Sequence, residues 1–311
     1  MPAHGLMFHH FHDTLDHAPS QGSIDGDQLA QIIRDVGRGR ILPAIEFLDR
    51  AIAGKLSEHH VCLTFDDNLL CQYDVAVPVL EDFGLTAFWF VYTSVMQGNI
   101  ERLEIYRNFR TTGFPSVDDF YAAFFIRVYE SELGRRAEGA LRTFEPAKYL
   151  AAFPFYTEAD KRFRFVRDEV LGADSYATVM DAMMRDAHYD VRDVAKQLWM
   201  GNDEIKSLHG AGHVIGLHSH THTTRIERLS DDDQRYEYKS NASHLTSVLG
   251  EPPLAMSHPC NSYNAATLEI LRSMGIKLGF RANMQLESGF GPLEIPREDH
   301  ANLIKRLTKA A

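Results

Sequence analysis

Short runs of β-favouring apolar residues alternate with amphipathic helical segments at both ends of this chain. The strand-like runs are Leu6 to Phe8, Val61 to Phe65, Ala87 to Val91, Val214 to Leu217, Leu254 to Met256, Leu278 to Phe280 and Leu293 to Ile295. Helical spacing of apolar residues separates them, as at 27–36, 75–83, 231–249 and 265–274. Because strands alternating with helices are typical of parallel sheets, the pattern predicts an α/β fold with a parallel sheet or barrel.

The alternation stops in the middle of the chain. From about 97 to 208 the sequence has helical periodicity with many aromatic and charged residues, as in 117–130 and 161–170. We interpret 97–208 as a helical insertion within one domain that covers 1–311. A chain of 311 residues that is 44% hydrophobic is long enough for such a domain.

Charge and cysteine usage limit the partners and the compartment. The net charge is −11 and no Lys/Arg-rich stretch occurs, so a nucleic-acid partner is not expected. The first residues lack the pattern of a secretory signal, and no apolar run approaches the roughly 20 residues that cross a bilayer. Three cysteines without paired spacing argue against a disulfide framework. These features predict a cytoplasmic protein without a membrane span, and they leave its oligomeric state open.

Two polar motifs follow predicted strands. Thr64 to Asn68 reads Thr-Phe-Asp-Asp-Asn, and His218 to His222 reads His-Ser-His-Thr-His. One Asp and two His are the donors of a hydrolytic zinc centre that keeps a position for water, and the neighbouring Asp is placed to accept a proton from that water. The residues therefore predict a divalent metal, with zinc favoured, although cobalt, nickel and iron accept the same donors.

Each motif also has a structural interpretation. Asp66 and Asp67 fit a turn or a helix cap after a strand, and the three histidines fit a solvated polar loop. His209 and His213 have the same four-residue spacing, and we interpret them as surface or helix-end residues. The occurrence of both motifs after strands of one alternating pattern favours the metal site, because open α/β sheets and barrels place their chemistry at strand ends.

The motifs resemble those of the polysaccharide deacetylase family, also called the NodB homology domain or carbohydrate esterase family 4. Thr64 to Asn68 is similar to the family's T-F-D-D-G, and His218 to His222 to its H-S/T-x-x-H. Met7 to His10 resembles a variant that begins M-Y-H, Ser257 to Asn264 resembles Y-P-Y-G-x-Y-N, and Ile295 to Arg297 resembles a late I-P-R segment. The resemblance covers about 5–95 and 210–300 and implies an irregular (β/α) barrel of about seven parallel strands.

The resemblance also implies roles for individual residues. Asp67, His218 and His222 would hold the metal, and Asp66 would be the general base. Arg297 would orient Asp66, a role that the family gives to an Arg near its third motif, where this chain has Ser257; a surface ion pair with Glu294 or Glu298 is the alternative for Arg297. His300 would protonate the leaving amine, in competition with His9, His10 and His258. The expected substrate-binding residues are His9, His10, Asn68, Pro259 and Cys260, with the backbone amide of Cys260 stabilising the oxyanion.

Asn68 replaces the glycine of the family motif. Asn tolerates positive φ nearly as well as Gly, so the loop conformation is expected to persist with a side chain directed toward the substrate. His220, between the two expected ligands, is predicted to lie outside the metal's ligand set.

Three classes of function follow. The first is a metal-dependent hydrolase that removes an N-acyl (acetyl) group from an amino sugar of a glycan or glycan precursor. The second is a metal-dependent phosphoesterase or amidohydrolase, because His218, His220 and His222 also form an H-x-H-x-H string. The third is a catalytically silent carbohydrate-binding homologue that keeps the metal for stability, although such a protein has no need for Asp66.

Overall fold

The structure is a computed structural model that describes residues 2–150, 156–285 and 291–310. The chain divides into two compact units. The first consists of Met1–Glu101 and Lys196–Ala311, and we call it the barrel unit. The second consists of Arg102–Ala195, and we call it the helical unit. No helix in the described ranges is both long and apolar enough to cross a membrane.

Seven strands form one sheet in the barrel unit. They are β1 (His4–Phe8), β2 (Val61–Asp66), β3 (Phe88–Val91), β4 (Val214–Leu217), β5 (Ala255–Ser257), β6 (Leu278–Phe280) and β7 (Arg297–Asp299). Their order in the sheet is β6-β5-β4-β3-β2-β1-β7, and every pair is parallel. Parallel strands are connected by crossovers, which here contain the helices of the barrel unit.

The helices alternate with these strands in the barrel unit and follow one another in the helical unit. The first three are α1 (Gly26–Val36), α2 (Ala44–Ile52) and α3 (Val77–Asp82). The middle of the chain contains α4 (Arg102–Thr112), α5 (Val117–Tyr129), α6 (Gly134–Leu141), α7 (Glu158–Phe165), α8 (Gly172–Asp186) and α9 (Val191–Leu198). The last four are α10 (Asn202–Gly210), α11 (Asp231–Leu249), α12 (Ala265–Ser273) and α13 (His300–Ala310).

One segment near the end of the chain nearly closes the sheet into a barrel. Its first part pairs with β6: the amide of Gly279 donates to Pro292, and the amide of Ile295 donates to Gly279. Its second part is β7, which pairs with β1. The two edges of the sheet are therefore connected through the same short stretch of backbone, and the predicted (β/α) barrel of seven parallel strands is confirmed.

Alternation along the strands separates the two faces of the barrel. Leu63 and Phe65 on β2 join a large apolar cluster with the surrounding helices. The opposite face of the sheet packs inside the barrel, since the rings of Phe90 on β3 and Phe280 on β6 are 5.4 Å apart. In a flat sheet, with strands spaced about 4.8 Å, the two strands between β3 and β6 would keep these residues about 14 Å apart. The sheet is therefore curled around the side chains of this face. Cys62 on β2 packs with Phe90 and Phe280 on the inner face. Asp66 is four residues further along the same strand, and because side chains alternate between the faces it is on the inner face too.

The helical unit has an aromatic core of its own. Ring contacts with centroid distances of 4.9 to 6.1 Å connect α5, α7 and α8 through Phe120, Phe124, Phe163 and Tyr176. The insertion expected at 97–208 contains this unit, but 97–101 and 196–208 belong to the barrel unit. The description of 1–311 as a single domain with an insertion remains a prediction.

Most predicted elements are present within one or two residues, but the last strand is displaced. The apolar run at 293–295 contributes one bridge, from Ile295 to Phe280, whereas the strand is Arg297–Asp299. Three consecutive charged residues do not resemble a buried strand. They form one here because the side chains of Arg297 and Glu298 both have partners, in Asp66 and Arg306.

His213 is also not the surface residue that its position suggested. It is buried, its ring packs edge-on against Trp89, and its Nδ1 accepts a hydrogen bond of 3.0 Å from the amide of Ala87. Burial lowers the pKa of His213 to about 4. The imidazole is therefore neutral in the folded chain at pH values at which an unfolded histidine is protonated.

This pKa predicts a loss of stability in acid. At pH values well above 6.5, the ordinary pKa of histidine, His213 is neutral in both states, and its contribution to stability is complete. As the pH falls from about 6.5 toward 4, the unfolded chain binds a proton that the folded chain does not, which costs up to about 1.4 kcal/mol per pH unit. Urea unfolding between pH 7 and pH 5 should show a smaller decrease for His213→Asn, whose oxygen can still accept the Ala87 bond. Equal decreases in both proteins would contradict this.

Candidate metal centre

The two polar motifs lie at the carboxyl ends of their strands, as expected. Asp66 is the last residue of β2, and Asp67 follows it with a positive φ of 78°. His218 directly follows β4, and His222 has a φ of 52°. β2 and β4 lie on either side of β3, so their ends are close to each other in the barrel. The polar residues therefore meet at one end of the barrel.

The structure brings Asp67, His218 and His222 together. Oδ1 of Asp67 is 3.3 Å from Nε2 of His218 and 3.1 Å from Nε2 of His222, and all three residues are buried. One ligand atom from each lies within 4.8 Å of the others. Three donors at about 2.0 to 2.1 Å from a common tetrahedral ion are separated by about 3.3 Å. The spacing around Asp67 therefore matches that of a zinc site.

The carboxylate of Asp67 has an atom that the protein leaves unsatisfied. Within the described ranges no hydrogen bond of acceptable geometry reaches Oδ1, although two imidazole nitrogens approach it. Burial alone would raise the pKa of Asp67, but the imidazoles of His222 and His218 hold it well below its ordinary value. Asp67 is thus ionised, and a buried anionic oxygen of this kind requires a cation or a donor. A divalent metal fits these residues.

The ring of His218 is oriented by its second nitrogen. Its Nδ1 lies 3.0 Å from the carbonyl oxygen of Ser257, which can only accept a hydrogen bond, so Nδ1 carries the proton. This tautomer leaves the lone pair of Nε2 directed toward Asp67. The backbone of His218 is held as well, because its amide donates to Oδ1 of Asn241 at 3.0 Å.

A glutamate on α11 holds the loop that carries the histidines. Glu237 accepts hydrogen bonds from the amides of His220 and Thr221, at 2.9 and 2.8 Å, and from the hydroxyl of Thr221 at 2.7 Å. The side chain of His220 is buried and turns to the hydroxyl of Thr93, with its Nδ1 3.0 Å from that oxygen. His220 lies outside the Asp67, His218 and His222 cluster.

Arg297 binds the second aspartate through two hydrogen bonds. Its Nη1 donates to Oδ1 of Asp66 at 2.6 Å and its Nη2 to Oδ2 at 2.7 Å. Arg297 is fully buried, and its side chain passes Gly5 on β1, where an added Cβ would lie 3.1 Å from the arginine Cγ. The alternative of a surface ion pair with Glu294 or Glu298 does not describe this residue.

Ser257 connects the base candidate to the metal-ligand candidates. Its hydroxyl donates to Oδ2 of Asp66 at 3.1 Å and accepts a hydrogen bond from Nη2 of Arg297 at 3.1 Å. It also lies 3.0 Å from Nδ1 of His218. Burial alone would raise the pKa of Asp66, but Arg297 and, to a lesser degree, His218 hold it below its ordinary value. Asp66 is therefore an oriented, ionised carboxylate 3.9 Å from Nε2 of His218.

The four histidines considered for proton donation have different surroundings. His9 is partly exposed, with Nε2 4.0 Å from Oδ2 of Asp66, and its ring stacks on His10. His300 is buried, stacks on Phe8 and has its Nε2 3.0 Å from the carbonyl of Gly22. Burial lowers the pKa of His300. Burial also lowers the pKa of His258, to about 3, and Nε2 of His258 lies 2.9 Å from the carbonyl oxygen of Leu293. His9 is the candidate nearest to the base.

Asn68 keeps the positive φ that the motif requires, 43°, but it is buried. With its amide nitrogen in the orientation that satisfies its neighbours, Asn68 donates to the carbonyls of Tyr92 and Asp67 at 3.2 and 2.8 Å. Its side chain is therefore used inside the protein, contrary to the expectation that it faces the substrate. Substrate binding by Asn68 remains a prediction that these contacts do not support.

The third motif forms a short helical turn after β5. Pro259 is buried, whereas Cys260 is exposed, with a left-handed φ of 51°. Asn261 is also left-handed, at 58°, and its Oδ1 accepts a hydrogen bond of 2.9 Å from the amide of Ala282. This arrangement fixes the backbone around Cys260 next to Ser257.

Sequence reasoning missed several residues that support the site. They are Ser257 as a bridging hydroxyl, Asn241 and Glu237 on α11, and Tyr92, whose ring is 5.0 Å from that of His222. Glu237 and Asn241 are four residues apart and buried on a helix rich in polar residues. Two polar residues on one helical face are ordinarily exposed, so the sequence contains no clear signal for these roles.

The comparisons with known proteins agree with the geometry. Residues 176–279 match the family model described as polysaccharide deacetylase. No curated protein matches the chain. The structure is similar to the deacetylase PplD of Streptococcus pyogenes, with a TM-score of 0.57 and 16% identity, over 99% of this chain and 98% of that one.

Two further solved structures have the same architecture. A de-N-acetylase from Aggregatibacter actinomycetemcomitans has a TM-score of 0.56 and 12% identity, over 99% of this chain and 100% of that one. IcaB from Ammonifex degensii has a TM-score of 0.56 and 13% identity, over 99% of this chain and 97% of that one. The resemblance indicated by the motifs is confirmed, and the chain has the fold of the polysaccharide deacetylases.

Proposed function

We propose that this chain is a metal-dependent hydrolase that removes an N-acyl group, in the simplest case acetyl, from an amino sugar of a glycan or glycan precursor. The observation that carries the proposal is the buried Asp67, His218 and His222 cluster next to an Asp66 carboxylate held by Arg297. The family match and the three deacetylase structures support the same reaction.

A divalent metal, with zinc favoured, would be held by Oδ1 of Asp67 and by Nε2 of His218 and His222. When bound, such an ion supplies a water of lowered pKa and polarises the carbonyl under attack. Asp66 would be the general base that accepts a proton from the attacking water. Arg297 keeps the carboxylate of Asp66 ionised and fixes its direction, since both oxygens bond to the guanidinium.

Two further groups complete the proposed reaction. The backbone amide of Cys260 would donate to the oxyanion that develops on the acyl carbonyl, in a turn fixed by Asn261 and Ala282. For protonation of the leaving amine, the contacts favour His9 over His300, because His9 is partly exposed and lies near Asp66. The surroundings of His300 keep it neutral and bonded to Gly22. His10 and Pro259 are proposed to line the substrate site.

The alternative functions have less support. A phosphoesterase that used the H-x-H-x-H string would bring His220 to the metal, but His220 is bonded to Thr93. A silent carbohydrate-binding homologue would have no use for the paired and oriented Asp66. The proposed partner is therefore an N-acylated sugar, and the proposed compartment is the cytoplasm, in keeping with the free cysteines.

Acetate release tests this function. The purified chain, supplied with zinc, should release acetate and an equal amount of free amine from members of a panel of N-acetylhexosamine monomers, oligomers and nucleotide-linked sugars. Treatment with EDTA should lower the rate at least about 100-fold, and added zinc should restore it, because the metal supplies the activated water. Release of phosphate from phosphoester substrates without acetate would favour the second class. Binding of glycans without release of either product would favour the silent homologue.

A further inference from the structure

The side chain of Gln72 joins the ends of the two strands that lead to the base and to the nearest proton-donor candidate. Its Nε2 donates to the carbonyl oxygen of His9 at 2.7 Å and to that of Asp66 at 2.6 Å. β1 and β2 pair as far as Phe8 and Phe65, so His9 and Asp66 are the next residues of the two backbones. Gln72 therefore continues the connection between β1 and β2 beyond the residues that pair directly.

Gln72 occupies a position that suits an apolar side chain. It begins a π-helical turn (Gln72–Ala76) that leads into α3, and Ala76 and Leu80 follow it at a spacing of four. All three side chains are fully buried, and Ala76 and Leu80 belong to the large apolar cluster. A buried amide loses its hydration, so its presence in this row depends on the hydrogen bonds that it makes.

The partners of the Gln72 amide determine its orientation. Both are carbonyl oxygens, which only accept hydrogen bonds, so the atom next to them is the nitrogen and both of its N–H groups are used. The other atom, Oε1, is buried and has no hydrogen-bond partner in the part of the chain that the structure describes. A buried acceptor without a donor lowers stability. What Gln72 offers over an apolar residue is therefore the link between the two carbonyls.

The link matters more for His9 than for Asp66. The carboxylate of Asp66 is already held by the guanidinium of Arg297 and the hydroxyl of Ser257. The side chain of His9 is 29% exposed, and among the residues that the structure describes none is hydrogen-bonded to its ring. The place of this imidazole therefore depends on the backbone of His9, which Gln72 attaches to the end of β2.

The residue before Gln72 holds the same loop. The amide of Phe11 donates to Sγ of Cys71 at 3.4 Å, and the ring of Phe11 is 5.8 Å from that of Phe65 on β2. The loop after β1 is thus attached to the turn after β2 at His9 and again two residues later. These contacts fix the backbone at 9–11 against the end of β2.

We propose that Gln72 is a positioning residue that sets the place of the His9 imidazole relative to the Asp66 carboxylate. The inference rests on the proposed function, with Asp66 as the base and His9 as the proton donor to the leaving amine. Nε2 of His9 is 4.0 Å from Oδ2 of Asp66, and a displacement of about 1 Å in such an arrangement can cost about 10²-fold in rate. Gln72 is fully buried, so it acts through His9 and not on the substrate.

Two substrates with different leaving groups test this role. An N-acetylhexosamine substrate from the panel loses an amine that has to be protonated, whereas 4-nitrophenyl acetate loses a phenolate that leaves without a proton. Attack by water requires the base in both cases. Gln72→Met should therefore lower kcat for the sugar at least about tenfold with KM unchanged, and kcat for the ester by less than about threefold. Equal losses with both substrates, or no loss with the sugar, would overturn the proposal.

Further variants connect the effect to His9. His9→Asn should show the same preference for the ester, and Gln72→Met in the same chain should add no further loss, because both substitutions act through one group. Gln234→Met is the matched control: Gln234 on α11 is also fully buried and donates to the carbonyl of Leu229 at 3.1 Å. It should leave the ratio of the two rates unchanged. An additive loss in the double variant, or an equally large change of the ratio in Gln234→Met, would contradict the assignment.

Proton NMR of the metal-free chain gives a measurement that does not require activity. The imidazole signals of His9, assigned by their loss in His9→Asn, should move in Gln72→Met, while those of the buried His213 should not. If Gln72→Met does not fold, Gln72→Asn, with the same donors on a shorter side chain, should show the same changes at smaller size. Unmoved His9 signals would overturn the proposal. Moved signals in a chain whose wild type releases no acetate would show that the proposed function is wrong while Gln72 still positions His9.

Discussion

Asp66→Asn is expected to lower turnover at least about 10²-fold while the metal content of the protein stays unchanged. Asparagine has the shape of Asp66 and retains one oxygen for Arg297 and Ser257, but it cannot accept the proton of the attacking water. Removal of a general base costs typically about 10² to 10⁴ in rate. Acetate release under saturating substrate, together with elemental analysis of the same protein, measures both quantities.

Asp67→Ala is the partner experiment. Asp67 contributes the one oxygen that both imidazoles approach, at 3.1 and 3.3 Å, so its loss should remove metal and activity together. The contrast between the two adjacent aspartates separates proton transfer from metal binding. A nearly normal rate in Asp66→Asn would show that another group is the base. Full metal content in Asp67→Ala would remove Asp67 from the ligand set.

The positions of the two motifs followed from the sequence because strand ends are set by local patterns. The runs that end at Phe65 and Leu217 are continuous and apolar, and the polar residues that follow each of them emerge at the same end of a parallel sheet. The distance between the motifs along the chain does not matter once the strands are parallel. Asp67, His218 and His222 could therefore be placed together before the structure was known.

Other features depend on contacts that have no local pattern. β7 contains only charged residues. It can be a buried strand because the guanidinium of Arg297 is hydrogen-bonded to the carboxylate of Asp66 inside the barrel. The bridging role of Ser257 arises from three neighbours on other segments of the chain. His213 is buried because the free amide of Ala87 needs an acceptor at that position. Periodicity reports which residues are apolar, but it does not report which polar residues will meet a partner.

The pair of Asp66 and Arg297 should also be the largest single electrostatic contribution to the stability of the barrel unit. Arg297→Met leaves the Asp66 carboxylate buried beside Phe90 without the guanidinium that binds both of its oxygens. Breaking a buried pair in this way costs about 3 to 5 kcal/mol. Urea unfolding of metal-free protein at pH 7 should show this loss in the free energy of unfolding. Arg50→Met is the matched control, because Arg50 and Glu46 in the same unit are both 40% exposed and their ion pair should contribute about 1 kcal/mol or less.

The double variant Asp66→Asn, Arg297→Met distinguishes a charge effect from a packing effect. If the loss in Arg297→Met comes from an uncompensated carboxylate, neutralising Asp66 in the same chain should restore much of the stability, and the two substitutions should be strongly non-additive. If the loss comes from a cavity left by the arginine, the double variant should be no more stable than Arg297→Met. In that case Arg297 would stabilise the barrel unit by filling space rather than by its charge. The lowered pKa of Asp66 would then need a source other than Arg297. An activity assay cannot replace this measurement. Arg297→Met is expected to be inactive because Asp66 loses its orientation, and the double variant because it lacks the base.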